Sequence, residues 1–240
     1  MPIRTVLFDL DGTLLPMDQE TFVRAYFGLL ARKLRPHGYD SEKLIAAIWQ
    51  GTAAMVKNDG SRTNEEAFWQ DFCTHFGEGA RADEPIFDDY YRNEFKQVQS
   101  ACGYSPFAQE AVSVLQEKGM QIALATNPIF PAVATESRIR WAGLDRQAFA
   151  LVTTYENSRH CKPNPDYYRD VLSALDANPA ETLMVGNDVG EDMIARKLGM
   201  QVYLVTDCLI NKKDEDLSQY PQNNPSLSSC HRSFWSFCSL

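Results

Sequence analysis

The 240-residue sequence predicts an α/β protein: a parallel sheet with helices on both faces, interrupted after its first strand by an all-helical block. Three observations carry this reading. Short apolar runs near residues 3–8, 121–125, 149–152, 182–185 and 201–205 have the length and continuity of strands buried on both faces. From residue 105 onward such runs alternate with helically spaced stretches, and repeated β-α units close into a parallel sheet. Between residues 18 and 101 only helical spacing occurs, so that block is expected to be helical throughout.

The first strand, broken only by Arg4 and Thr5, runs directly into Asp9-Leu10-Asp11-Gly12-Thr13. Two acids at a strand's C-terminal edge repel each other unless something cationic sits between them. Open α/β folds also place ligands beyond the carboxyl ends of their strands. A plain Asp-Gly turn is the alternative reading of these residues alone.

Asp18 then reads as the N-cap of a helix that carries Phe22, Ala25, Tyr26, Leu29 and Leu30 on one face. A second helix is predicted over 41–56, followed by the polar loop 57–62. Thr63, three residues before Glu66, offers a capping box to a helix through Phe68, Trp69, Phe72 and Phe76. A further helix is predicted over 86–98.

A helix over 108–118 stops at Gly119 and leads into the second strand, which ends at Thr126-Asn127. The helix over 131–141 ends before Gly143. Loop 157–163 opens a helix at Pro165, a favoured first helical position, that runs to Leu175. The strand at 182–185 precedes loop 186–192, a helix over 193–198, and the last strand. The expected organisation is a core of residues 1–16 and 104–220, a helical unit of 17–103 and an irregular tail of 221–240. That tail holds six serines and crowded aromatics. Its Cys230, His231 and Cys238 are too few to define a zinc site.

Hydrophobic content of 44% and charged content of 23% suit a soluble globular chain. A net charge of -9 argues against nucleic acid or an anionic membrane as partner. An anionic small substrate would need cations placed locally. No apolar run reaches 18 residues, so no transmembrane helix is expected. The first strand leaves no room for a signal peptide. The six cysteines are dispersed, without metal-ligand spacing or a disulfide framework, as expected for reduced thiols in the cytoplasm.

Four loops gather the chemistry. Asp9 and Asp11 follow the first strand, and Thr126 with Asn127 follows the second. Lys162 precedes the helix that opens at Pro165, and Asp188 and Asp192 lie in the loop after the apolar run at 182–185. Singly, each has a plain reading as a turn former, a solvated charge or a cap. Together and in this order they resemble the four motifs of the haloacid dehalogenase (HAD) superfamily, over about residues 2–205. A helical insertion after the first motif resembles the C1-type cap of the β-phosphoglucomutase and phosphoglycolate phosphatase branch.

The resemblance implies a Rossmann-like core with a helical cap and Mg²⁺-dependent hydrolysis of a small phosphorylated metabolite through an aspartyl-phosphate. It implies Asp9 as nucleophile and Asp11 as general acid and base. Thr126 and Asn127 would bind phosphoryl oxygens, and Lys162 would stabilise the nucleophile and the transferring group. The implied metal ligands are the Asp9 carboxylate, the Asp11 backbone carbonyl and Asp188, with Asp192 orienting Lys162 or metal-bound water. A metal suits this chemistry because a carboxylate nucleophile and a phosphate ester repel each other, and a hard oxygen-ligated cation offsets that repulsion.

Asn187 departs from the pattern, standing where many relatives carry the metal-binding Asp, with Asp188 one residue later. Asp11 speaks against dehalogenase and phosphonate-cleaving relatives, which lack it. A phosphomutase uses the same motifs and stays open as an alternative. A non-catalytic binding protein is disfavoured because every chemical residue is intact. Ser61-Arg62 resembles the cap-loop Ser-Arg of β-phosphoglucomutase, which implies Arg62 as ligand for a distal anionic group of the substrate, its planar fork suiting bidentate binding.

Overall fold

The computed structural model describes residues 2–222. Five parallel strands, β1 (Thr5–Phe8), β2 (Gln121–Leu124), β3 (Leu151–Val152), β4 (Thr182–Gly186) and β5 (Gln201–Leu204), form one sheet in the order β3-β2-β1-β4-β5. The first strand is central, and the order reverses beside it. That reversal is the topological switch point, where an open α/β sheet leaves a crevice for a ligand.

Successive β1 side chains point to opposite faces, as a strand requires. Val6 and Phe8 join a large apolar cluster with Ile122, Leu124 and Val185, while Leu7 joins a second with Ala123, Met184 and Val202. Helices α5 (Pro106–Glu117) and α6 (Ala132–Trp141) cover the first face, and α7 (Pro165–Ala174) covers the other through Tyr168, Val171 and Leu172. Both faces are therefore buried, which explains why the strands read as continuous apolar runs.

Between β1 and β2 the chain forms α1 (Gln19–Leu34), α2 (Ser41–Val56), α3 (Asn64–Phe76) and α4 (Glu84–Arg92). Asp18 caps α1 by accepting from Thr21 N at 2.8 Å. The expected capping box opens α3: Thr63 Oγ1 accepts from Glu66 N, and Glu66 Oε2 accepts from Thr63 N. The chain leaves for these helices and returns from them side by side. Met17 bridges antiparallel to Cys102, and Gly103 N donates to Pro16 O at 2.7 Å.

The sequence predicts one helix over 86–98. The structure instead ends α4 at Arg92 and continues as a 3₁₀ segment, Glu94–Ala101. Phe95 and Val98 are three residues apart and both fully buried, a spacing the three-residue repeat of a 3₁₀ helix brings onto one face. The stretch Met193–Leu198, expected as an α-helix, is likewise 3₁₀. The strand expected at 149–152 narrows to two residues. Of the tail expected over 221–240, residues 223–240, with the cysteines and histidine, lie outside the described residues. Among the described residues, no helix is long and apolar enough to cross a membrane.

Phe95 ties the helical block to the core. Its ring centroid lies 5.1 Å from that of Trp141 on α6, and 5.5 Å from that of Tyr91 on α4. Phe95→Ala is expected to lower unfolding free energy by about 4 kcal/mol, from lost burial plus a residual cavity. Urea denaturation measures this, and a loss below about 1 kcal/mol would mean that the ring does not couple the two layers.

Candidate active site

Asp9 extends β1 by one residue, its N–H donating to Val185 O at 2.9 Å. This fixes its carboxylate at the switch point. Gly12 follows with φ +87, and a Cβ there would stand 2.3 Å from Asn187 Nδ2. Glycine is thus needed both for the backbone and for the close approach of the β4 loop. Gly186 has a similar role at the end of β4, where a Cβ would meet Asp192 Oδ2 at 2.1 Å.

Lys162 is the centre of the charge arrangement. It is 1% exposed, and its Nζ donates to Asp9 Oδ1 at 2.9 Å and to Asp192 Oδ1 at 2.6 Å. Burial alone would favour the neutral amine, but Asp192 and Asp9 outweigh it and hold the ammonium well above the ordinary lysine range. Burial drives the Asp192 carboxyl upward against the opposing pull of Lys162. Asp192 Oδ2 also accepts from Asp188 N at 3.0 Å, so Asp192 braces both Lys162 and its own loop.

The second strand delivers Thr126, whose carbonyl accepts from Thr153 Oγ1 at 2.7 Å and Tyr167 OH at 2.9 Å. Next to it, Asn127 Oδ1 accepts from Lys162 N, and Asn127 Nδ2 donates to Glu191 Oε2 at 3.0 Å. Thr126, Asn127, Asp9, Asp11, Asp188 and Asp192 all line a single cavity of about 380 Å³. The structure thus brings together seven of the eight residues selected from the sequence, Lys162 joining through Asp9.

Arg62 is the exception. It is exposed and does not line the cavity. Its loop is held elsewhere: Asn58 Nδ2 donates to the Arg62 carbonyl and to Asn64 Oδ1, both at 2.9 Å. Buried Asn64 in turn donates to Pro128 O at 3.2 Å. These bonds anchor the loop through its base and leave the arginine at the surface.

Asn187 and Asp188 divide the work of the β4 loop. Asn187 is buried with both amide atoms engaged, accepting from Thr13 Oγ1 at 3.0 Å and donating to Cys208 O at 2.6 Å. Asp188 is half-buried, and its Oδ1 accepts from Gly190 N and Glu191 N. Its Oδ2 has no hydrogen-bond partner among the described residues.

Two charged residues here were not selected from the sequence. Arg138 on α6 is 1% exposed and pairs with Asp11 Oδ2, with its guanidinium 4.4 Å from the Phe130 ring centre. Asp11 Oδ1 is buried without a hydrogen-bond partner. Burial drives the Asp11 carboxyl up; Arg138 opposes this and the Asp9 charge adds to it, leaving it raised. Glu191 is also raised, by burial. Arg138 was legible in principle, since it stands four residues after Ala134 and three before Trp141, on the buried face of α6.

A central parallel strand ending in one carboxylate, with a buried lysine shared by a second, defines a hydrolase core of the HAD type. The profile of the haloacid dehalogenase-like hydrolases matches residues 3–199, and this chain belongs to that family. It is 29% identical to pyrophosphatase PpaX of Anoxybacillus flavithermus over 82% of this chain and 80% of the relative. It is also 29% identical to ribulose-1,5-bisphosphate 5-phosphatase of Halopiger xanaduensis, covering 83% of each. In fold it resembles a HAD phosphatase from Thermococcus onnurineus, with TM-score 0.55, 18% identity and 92% of each chain covered.

Arg138→Met is expected to destabilise the fold by about 3 kcal/mol, because it strands the Asp11 carboxylate beside an apolar wall. Combining it with Asp11→Asn should cost less than the sum of the single changes, since the charge that needed the arginine is then gone. A double-mutant cycle of urea midpoints measures the coupling; strict additivity would mean that the pair does not interact.

Proposed function

We propose that this chain is a phosphomonoesterase that works through an aspartyl-phosphate on Asp9, with residues 17–103 as the cap over a core of 1–16 and 104–220. The observation that carries the reading is Lys162, buried and bonded to both Asp9 and Asp192. A carboxylate held by a fixed ammonium at the end of a central strand is oriented for attack, and that charge offsets repulsion from the incoming phosphate.

Asp9 attacks phosphorus, the bond to the leaving oxygen breaks, and Asp11 gives that oxygen its proton. Asp11 Oδ2 is tied to Arg138, and Oδ1 is buried without a hydrogen-bond partner. The raised carboxyl favours the protonated form needed for this step. Asp11, now ionised, then takes a proton from water, whose oxygen attacks the phosphoryl group and frees Asp9 and inorganic phosphate. The Thr126 hydroxyl and the Asn127 backbone N–H are assigned to the phosphoryl oxygens.

The oxygen donors here are of the kind a hard divalent cation takes. Asp9, Asp11, Asp188, Glu191 and Asp192 all line the cavity, and among the described residues Asp9, Asp11 and Asp192 are the ones of these that are ion-paired. Asp9, the Asp11 carbonyl and Asp188 would hold Mg²⁺, with Asn187 serving as a brace because both its amide atoms are engaged. When bound, the ion supplies positive charge against the phosphate.

Malachite-green detection of phosphate release from a panel of phosphate esters, with and without Mg²⁺, tests the reading. Asp9→Asn should abolish release, since an amide cannot form the acyl phosphate; retained turnover would overturn the mechanism. Asp188→Ala should raise the Mg²⁺ concentration for half-maximal activity about tenfold or more, and Asn187→Ala far less. Equal shifts would move the metal ligand to Asn187.

A further inference from the structure

The cavity that begins at Asp9 extends into the helical block, and the block's contribution to it has a distinct chemistry. Every charged residue lining the cavity comes from the core; helices α1 to α4 and their approach supply none among the described residues. Lys212, the one lysine in the lining, stands two residues after Ile210, which bridges to Asp188. It therefore belongs to the carboxylate end.

Several of the polar atoms that the block does supply are spent, leaving Gln19 and the buried, unpartnered Trp69 Nε1 as its open polar groups among the described residues. Thr52 Oγ1 donates back to Ile48 O at 2.8 Å, and the Tyr26 and Tyr91 hydroxyls bond to each other at 2.8 Å. A polyol leaving group would lose its water here and find few replacement partners. A leaving group with its own phosphate would find no cation on the block to meet it, and Arg62 lies outside the cavity.

What the block offers instead is aromatic surface, from Phe22, Phe27, Trp49, Phe68 and Tyr91. Trp49 and Val56 line this cavity and yet remain 52% and 41% exposed, so they form an apolar rim. The Trp49 ring is 5.4 Å from that of Phe27, an aromatic pair with one open side. Large exposed apolar side chains continuous with a catalytic cavity are surface that a bound ligand would cover.

We propose that the substrate is a phosphomonoester of an uncharged aromatic alcohol, its ring packed against Trp49 and the neighbouring rings while its phosphate sits at Asp9. This assignment rests on the phosphatase reading above.

The test uses the full chain with Mg²⁺ and two esters of primary alcohols, 2-naphthylmethyl phosphate and glucose 6-phosphate, so that leaving-group reactivity is similar. Pyrophosphate is the third substrate. The aromatic ester is expected to exceed both in kcat/KM on the order of 30-fold, from the apolar area its ring removes from water. Trp49→Ala, at a half-exposed position that folding tolerates, should cut that ratio about fivefold or more. Calorimetry with 2-naphthylmethylphosphonate and methylphosphonate reads binding without turnover, and the naphthyl compound should bind on the order of 30-fold more tightly. Comparable kcat/KM for all three substrates, preference for the sugar or pyrophosphate, or a ratio unmoved by Trp49→Ala would overturn the proposal while leaving a phosphatase. Tight naphthylphosphonate binding with no turnover of any ester would uphold the aromatic subsite and overturn the phosphatase reading instead.

Discussion

One ammonium group holds the site in register. Lys162 is donated by the loop before α7, Asp9 by β1 and Asp192 by the loop after β4, so a single buried charge joins three distant parts of the chain. Without it, two carboxylates would face each other in a poorly solvated crevice, and each would drive the other toward protonation. With it, Asp9 stays fixed at the strand end, and Asp192 can also hold Asp188 N and the loop that carries it. Gly12 and Gly186 serve the same end, because a side chain at either would push Asn187 or Asp192 out of place.

A second charge pair repeats this logic on the opposite side. Arg138 reaches Asp11 from α6 and is itself shielded by Phe130. Asp9 and Asp11 thus each receive their own cation, one from the loop before α7 and one from α6, although only one residue separates them in sequence. Their environments differ accordingly: Asp9 is bonded to a lysine shared with a third acid, whereas Asp11 keeps one oxygen unpartnered. Two carboxylates with different partners are suited to different work.

Much of this was legible in the sequence because strand ends and motif loops are local signals. Buried strands announce themselves as apolar runs, and Asp9, Asp11, Thr126 and Asp188 each follow one. The helical caps at Asp18 and Thr63 follow equally from side chains a few residues from the backbone groups they satisfy. Arg138 was missed because a lone arginine in a helix looks solvated until its neighbours Ala134 and Trp141 are seen to be buried. Arg62 was expected at the cavity and stands outside it for the converse reason. A flexible polar loop beside a cap suggests a ligand-binding arm, but the bond from Asn64 to Pro128 O that ties it to the core spans tertiary distance. The break after Arg92 escaped notice because three-residue and four-residue spacings coincide over so short a stretch.

The central position of β1 also bears on the order in which the molecule can assemble. Thr5 pairs with Gln121, 116 residues away, and with Thr182 still further along the chain. During synthesis from the N-terminus, the first strand therefore emerges long before either sheet neighbour exists. The helices of 19–92, rich in local contacts, can condense in that interval, whereas β1 carries four buried residues that must wait exposed. A strand in that position depends on the nascent chain's surroundings, and chaperone binding to the first residues would protect the very segment that later carries Asp9.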